Sequence, residues 1–246
     1  MQGILFAIVF FVVMIFQETG FKADQMRYPR VRTAYEEKGQ DVESTLVELG
    51  LDDQLEVYLR VFKMDSVIEL WGKNKHDTTC IHIKDYKICA LSGSIGPKRR
   101  QGDFQVPEGF YTIDRFNPAS NFYLSLGLDY PNPSDRILGD QGHLGGDIFI
   151  HGACVTIGCL PITNTWIKEL YVYCVEARNS GQDKIPVTIF PGYLEAEDYN
   201  ALIENPGFDP SAKELWEDLK KGYDLFHVNK RPPVVTFLNS GRHDVK

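Results

Sequence analysis

None of the chain's five cysteines stands in a Cys-x-x-Cys pair, so the paired ligands of a zinc ribbon and the motif of a thioredoxin-like site are both missing. Positive charge is in deficit: 26 Lys and Arg face 34 Asp and Glu, a net charge of −8. Neutralising phosphates takes clustered Lys and Arg, so nucleic acid is excluded as a partner. The glycine-bearing stretch 92–103 lacks the Gly-Lys-Ser/Thr ending and following helix pattern of a phosphate loop. No group of metal-ligand residues and no cofactor motif is visible, so neither a metal nor a cofactor is expected. Long apolar runs are scarce as well. The run at 4–16, Ile-Leu-Phe-Ala-Ile-Val-Phe-Phe-Val-Val-Met-Ile-Phe, is too short for a comfortable membrane span and suits a signal-peptide core. No small-x-small cleavage site follows it. The segment 1–23 is therefore read as a signal peptide or a retained N-terminal anchor, and either reading places the protein outside the cytoplasmic membrane, in the periplasm or cell envelope.

What remains is a folded chain of 246 residues, 43% hydrophobic and 12% aromatic, enough for one large domain with small additions. Residues 26–51 carry a helical stripe (Val31, Ala34, Tyr35, Val42, Leu46, Leu49), broken near Gly39. From Leu55 the period shortens. Segments 55–63 and 66–71 read as a hairpin turning at Met64-Asp65, and 80–84, 86–91, 105–113 and 121–130 continue the strand pattern. Pro131 to Asp135 reads as a turn or loop. Downstream, 163–177 is helical with Thr163 or Asn164 as cap, and 185–190 is a strand that Pro186 assigns to a sheet edge. Helices follow at 195–204 and 211–228, then a loose polar tail. The expected organisation is a helical prelude at 24–52, a catalytic domain at 53–193, a C-terminal helical extension at 194–228 and the tail at 229–246. The fold class is mainly β with α: a β-rich core, as a β-sandwich or mixed sheets, with flanking helices at both ends.

The chemistry concentrates in residues 145–161, Gly-Gly-Asp-Ile-Phe-Ile-His-Gly-Ala-Cys-Val-Thr-Ile-Gly-Cys-Leu-Pro. Ile148-Phe149-Ile150 is a buried strand ending on His151, and Cys159 follows after a short polar turn. A thiol needs a base, and an imidazole within reach supplies one. Gly158 lets the backbone bend so that N–H groups can face an oxyanion. A helix starting after Cys159, with His151 beside it, would lower the thiol's pKa. An odd cysteine count leaves a free thiol in an exported protein. Cys159 is that thiol. The pairing of Cys154 is open, and Cys154→Ala is expected to keep most activity.

The run His-Gly, a turn, then Thr-Ile-Gly-Cys resembles the L,D-transpeptidase catalytic domain, specifically its murein-transpeptidase-like branch with a short His-to-Cys spacing. Ser92-Gly93-Ser94-Ile95-Gly96-Pro97-Lys98, Val106-Pro107-Glu108-Gly109-Phe110-Tyr111 and Asp129-Tyr130-Pro131-Asn132 are similar to the family's other blocks, in order, across about 55–191. Ile157 stands where longer-spaced members carry a second His, and Pro161 where they usually carry an Arg. The resemblance implies an L,D-transpeptidase-like fold and a thioester acyl-enzyme on peptidoglycan stem peptides. Cys159 would be the nucleophile and His151 the proton carrier. The Gly152 carbonyl would orient His151, and the backbone N–H groups of Ile157, Gly158 and Cys159 would form the oxyanion site. Thr156, His143, Lys98 (with Arg99 and Arg100 beside it) and Tyr123 are candidate substrate contacts. Partners would be stem peptides and a wall-attached protein, with membrane anchoring through 4–16. Two alternatives stand beside transpeptidation: a cysteine hydrolase or amidase on the same fold, and a non-catalytic wall-binding protein.

Overall fold

The computed structural model describes residues 20–246. The apolar run at 4–16 lies outside the described residues. Helix α1 (Phe21–Gln25) leads into α2 (Pro29–Glu48), opened by a proline in its first turn. Val31, Ala34, Val42 and Leu46 form the buried stripe of α2. The helix runs straight through Gly39, where a break was expected. A glycine costs a helix only about 1 kcal/mol, and the buried stripe on both sides of it outweighs that.

Eight strands make one mixed sheet: β1 (Leu55–Phe62), β2 (Val67–Asn74), β3 (Ile81–Lys87), β4 (Gly109–Asn117), β5 (Ser125–Leu128), β6 (Phe149–His151), β7 (Leu160–Pro161) and β8 (Ile185–Phe190). Their order is β3-β2-β1-β8-β4-β5-β6-β7. Pairs β1/β8 and β6/β7 are parallel and the rest antiparallel. The expected strands at 80–84 and 86–91 are one strand, β3. The sheet curls until its two edges meet. Cys89, just past β3, donates its N–H to the Pro161 carbonyl of β7 at 2.9 Å, and a disulfide joins Cys89 to Cys154.

Period-2 alternation gives the central strands two buried faces. Val57, Leu59 and Val61 belong to one core with Leu170, Val175 and the α2 stripe; Phe62 and Phe190 belong to a second with Leu215, Trp216 and Leu219. The first core is covered by α2 and α4 (Thr163–Asn179), the second by α5 (Ala196–Glu204) and α6 (Pro210–Asn229). Each fully buried large side chain contributes about 1.5–3 kcal/mol. The architecture is therefore a mixed sheet between helices from both ends of the chain, the mixed-sheet form of the expected class.

Three local expectations are corrected. Strand β8 lies between β1 and β4, not at an edge. Pro186 is tolerated because pairing with β1 begins one residue later, at Leu59↔Val187, and the Gln182 side chain takes both the N–H and C=O of Val57. Residues 131–135 are not all loop. Asn132 caps a short helix, α3 (Pro133–Leu138), in a capping box with Asp135. The tail is not loose. It folds into a hairpin, β9 (Val235–Phe237) with β10 (His243–Val245). Buried Asp218 of α6 accepts from the Arg242 guanidinium at 2.6 and 3.0 Å and from the His243 N–H at 2.8 Å. That tertiary anchor has no trace in the tail's own polar pattern.

Candidate active site

The site lies where β5, β6 and β7 meet the first turn of α4. His151 ends β6, pairs with Ser125 on one side and Pro161 on the other, and is only 1% exposed. Its Nδ1 lies 2.5 Å from the Gly152 carbonyl oxygen. A carbonyl can only accept, so Nδ1 carries the proton and Nε2 is left bare. Gly152 also has to be glycine: a Cβ there would stand 2.5 Å from the Phe122 carbonyl oxygen and 2.6 Å from Asn164 Oδ1. Phe122 covers the imidazole, ring centroids 4.5 Å apart.

The parallel register of β6 and β7 pairs Ile150 with Leu160. One step back sets Cys159 beside Phe149, on the sheet face that also carries His151. Cys159 precedes β7, so that strand separates it from α4, and the thiol is not at a helix start as expected. Nor do Asn164 or Thr163 cap α4; Asn164 Oδ1 accepts instead from Ala153 N–H at 2.8 Å, fixing the loop. Among the described residues no hydrogen bond joins Cys159 to His151. The Cys159 sulfur lies 3.5 Å from the Asp147 carbonyl oxygen.

Burial pushes the Cys159 thiol up; the Phe149 backbone contact and the Lys98 charge pull against it, and Asp147 adds to it. Burial also pushes His151 down, with Gly152 opposing. Both shifts favour the neutral pair, which reverses the expectation of a low-pKa thiol in the resting protein. A raised thiol pKa leaves less thiolate at neutral pH than the few per cent of a free cysteine. The alkylation rate of Cys159, followed by peptide mass mapping, should therefore climb through the alkaline range with no plateau below neutrality. A plateau there would reveal a resting thiolate–imidazolium pair.

The remaining sequence candidates divide. Thr156 Oγ1 donates to the Cys159 carbonyl at 2.7 Å and accepts from the Gly158 N–H at 3.1 Å. Thr156 thus pins the turn, and the Gly158 N–H is occupied, whereas among the described residues the Ile157 and Cys159 N–H groups make no hydrogen bond. Gly158 has φ +136°, and a Cβ would press on the Gln105 carbonyl oxygen at 3.0 Å. Lys98 is buried, donating to Asp103 and to the Arg100 carbonyl, so it braces its loop. Arg99 faces a cleft of about 520 Å³ with Gln105 and Asp140; its Nη2 is buried without a hydrogen-bond partner. His143 is exposed on a loop. Tyr123 sits between Arg30 and Lys168, and its neighbour Phe122 is the residue at the imidazole. Sequence reading missed Phe122, Asn164, Gln105 and the disulfide. Only Asn164, in the first turn of a recognised helix, carried a local signal. Among the described residues no group of metal ligands is present.

A bare imidazole nitrogen and a thiol on one sheet face, beside unengaged loop N–H groups, define a site able to move a proton from sulfur and hold a developing oxyanion. The sequence model of the YkuD family, the L,D-transpeptidase catalytic domain, matches residues 58–189. This chain belongs to that family. It is 37% identical over 191 residues to "Putative L,D-transpeptidase YafK" of Escherichia coli K12, covering 77% of this chain and 73% of that protein, and equally to its counterpart in strain O157:H7. Among solved structures, the helical cell shape determining protein Pgp2 from Campylobacter jejuni is similar at 19% identity and TM-score 0.45, over 76% of this chain and 74% of that one. Bd1075 of Bdellovibrio bacteriovorus is similar at 19% and TM-score 0.40, over 70% and 56%. The family assignment rests on the sequence matches.

Proposed function

We propose that the protein is a cysteine L,D-transpeptidase of peptidoglycan working through a thioester. The observation that carries this reading is the Nδ1–H donation to the Gly152 carbonyl, which leaves Nε2 bare on the face that carries Cys159. Nε2 takes the thiol proton as sulfur attacks a stem-peptide carbonyl that follows an L-residue and precedes a D-residue. Ile157 and Cys159 N–H groups stabilise the oxyanion. Collapse breaks the peptide bond, and Nε2 returns the proton to the departing amine. An acceptor amine, from a second stem or a wall-attached protein, then loses a proton to Nε2 and displaces sulfur. Arg99, on the cleft it shares with Gln105 and Asp140, lends its charge to a stem carboxylate, the task that Pro161 cannot perform. The run at 4–16 delivers the domain to the cell envelope; among the described residues no helix is long and apolar enough to cross a membrane.

Purified wall incubated with the protein and read by mass spectrometry of its fragments tests the reaction. Transpeptidation yields new cross-linked dimers or protein adducts with loss of the terminal D-residue. Shortened, uncross-linked stems or freed protein would assign the hydrolase reaction instead. A fragment profile identical to that from Cys159→Ala protein would overturn both.

A further inference from the structure

Residues 152–158 connect the two chemical groups of the site, and backbone hydrogen bonds hold the His151 end of that connection: the Gly152 N–H donates to the Leu124 carbonyl at 3.2 Å and the Ala153 carbonyl accepts from the Thr163 N–H at 3.0 Å. Ala153 takes a left-handed φ of +57° and Gly158 one of +136°. The left-handed conformation costs a non-glycine residue about 1–2 kcal/mol, so it persists only under external constraint. At one end Asn164 holds the Ala153 N–H, and at the other Thr156 pins Gly158 and Cys159. Between these holds, among the described residues, neither Cys154 nor Val155 makes a backbone hydrogen bond, and Val155 is exposed. The attachment at that point is the Cys89–Cys154 disulfide, with Cα atoms 5.7 Å apart and 65 residues between the partners in sequence.

The other end of this cross-link is firmly seated. Ile88 donates its N–H to the Ser66 carbonyl in the β1–β2 turn at 2.8 Å, and Cys89 donates to Pro161 of β7. The Cys89 sulfur also lies 3.5 Å from the Ala153 carbonyl oxygen. The disulfide therefore ties the middle of the loop to the far edge of the sheet, where the curl brings β3 against β7. Cys154 follows His151 closely, and Cys89 grips the strand that follows Cys159, so one covalent bond spans both sides of the site.

We infer that Cys89 and Cys154 are positioning residues: their disulfide clamps the 152–158 loop so that Cys159 keeps its place on the sheet face that carries His151, and breaking it slows the chemical step. The inference rests on the proposed catalytic reading for its consequence, but not for the clamp itself. It also revises Cys154 from a dispensable residue to one on which the site's geometry depends. A misplacement of about 1 Å between reacting groups costs about a hundredfold in rate.

The test uses the full chain carrying Cys89→Ala with Cys154→Ala, compared with the parent by hydrogen exchange and by wall turnover. Amide exchange at Ala153 and Gly158, whose N–H groups are held by Asn164 and Thr156, should rise at least about tenfold while β1 and β8 keep their protection. Turnover should show kcat lowered by about ten- to a hundredfold with KM within about twofold, a split that general loss of structure would not produce. Unchanged exchange in the loop overturns the clamp. Raised exchange with unchanged kcat overturns its catalytic consequence. A parent inactive on every wall substrate sinks the functional reading alone, since loop exchange still decides the clamp. If the double variant does not fold, the folded parent reduced with a phosphine gives the same comparison.

Discussion

Cys159→Ala lowers turnover on peptidoglycan to background, a loss of at least about a thousandfold, with the fold intact. The side chain is only partly buried and makes weak contacts, to the Asp147 carbonyl and the Phe149 backbone, so its removal costs little packing. His151→Ala falls nearly as far, because burial pushes the Cys159 thiol up and the thiol then needs a base to take its proton. The two losses do not add: a nucleophile without its base and a base without its nucleophile are the same failure. The double variant therefore matches Cys159→Ala. The check is kcat/KM for the three proteins, with circular dichroism to establish folding. Turnover by Cys159→Ala within tenfold of the parent would remove the thiol from the mechanism. His151→Gln, which keeps a polar side chain but no titratable nitrogen, should be as slow as His151→Ala.

The largest expected loss of stability comes from a residue outside the chemistry. Lys63, just past β1, is buried with its ammonium on Glu108 at 2.8 Å and on the carbonyls of Ser94, Gly96 and Val106 at 2.9–3.1 Å. Glu108 is buried too and accepts from the Trp216 indole at 2.7 Å and from Gly96 N–H at 2.8 Å. The pair is fully hydrogen-bonded, which is the condition for charges to persist in a core. Lys63→Met leaves a buried carboxylate without its cation and three carbonyls without a donor. The expected cost is about 3–5 kcal/mol, read as a shift in the denaturation midpoint at constant slope. Adding Glu108→Gln should recover part of it by removing the orphaned charge. A loss below about 1 kcal/mol would mean that water reaches the site. The same change should loosen the loop through Gln105, whose carbonyl lies against Gly158, and so reach the active site.

Strand periodicity placed β1, β2 and β8, and apolar stripes placed α2 and α4, because each signal is local; helices were also expected where α5 and α6 lie. The His151-Gly152 and Gly158-Cys159 blocks were legible for the same reason: a strand end and a tight turn write their residue types into adjacent positions. What could not be read depends on groups far apart in the chain. Pro186 signals an edge on its own; only the Gln182 side chain, standing in for a strand at Val57, makes it tolerable in mid-sheet. Cys154 acquires its partner because the sheet curls, and no spacing rule encodes curl. The tail folds because Asp218 waits on α6. Phe122 rather than Tyr123 meets the imidazole because residues 121–124 form a turn ahead of β5, where a strand was expected, and Tyr123 takes a left-handed φ of +77° there. The direction of the thiol shift was missed for a different reason. The sequence shows that a His and a Cys are near each other, but not that the imidazole is buried, the thiol half-buried and the two without a hydrogen bond between them.

The central claim is that a Cys159 thioester carries the acyl group, and intact-protein mass spectrometry addresses it most directly. Parent protein mixed with a stem-peptide donor and quenched in acid within the first turnover should gain the mass of the donor acyl group, without its terminal D-residue. Peptide mapping should place that mass on Cys159, and hydroxylamine should remove it. The adduct should be absent from Cys159→Ala. An adduct that persists in Cys159→Ala, or turnover with no adduct on the parent at any quench time, would contradict the account.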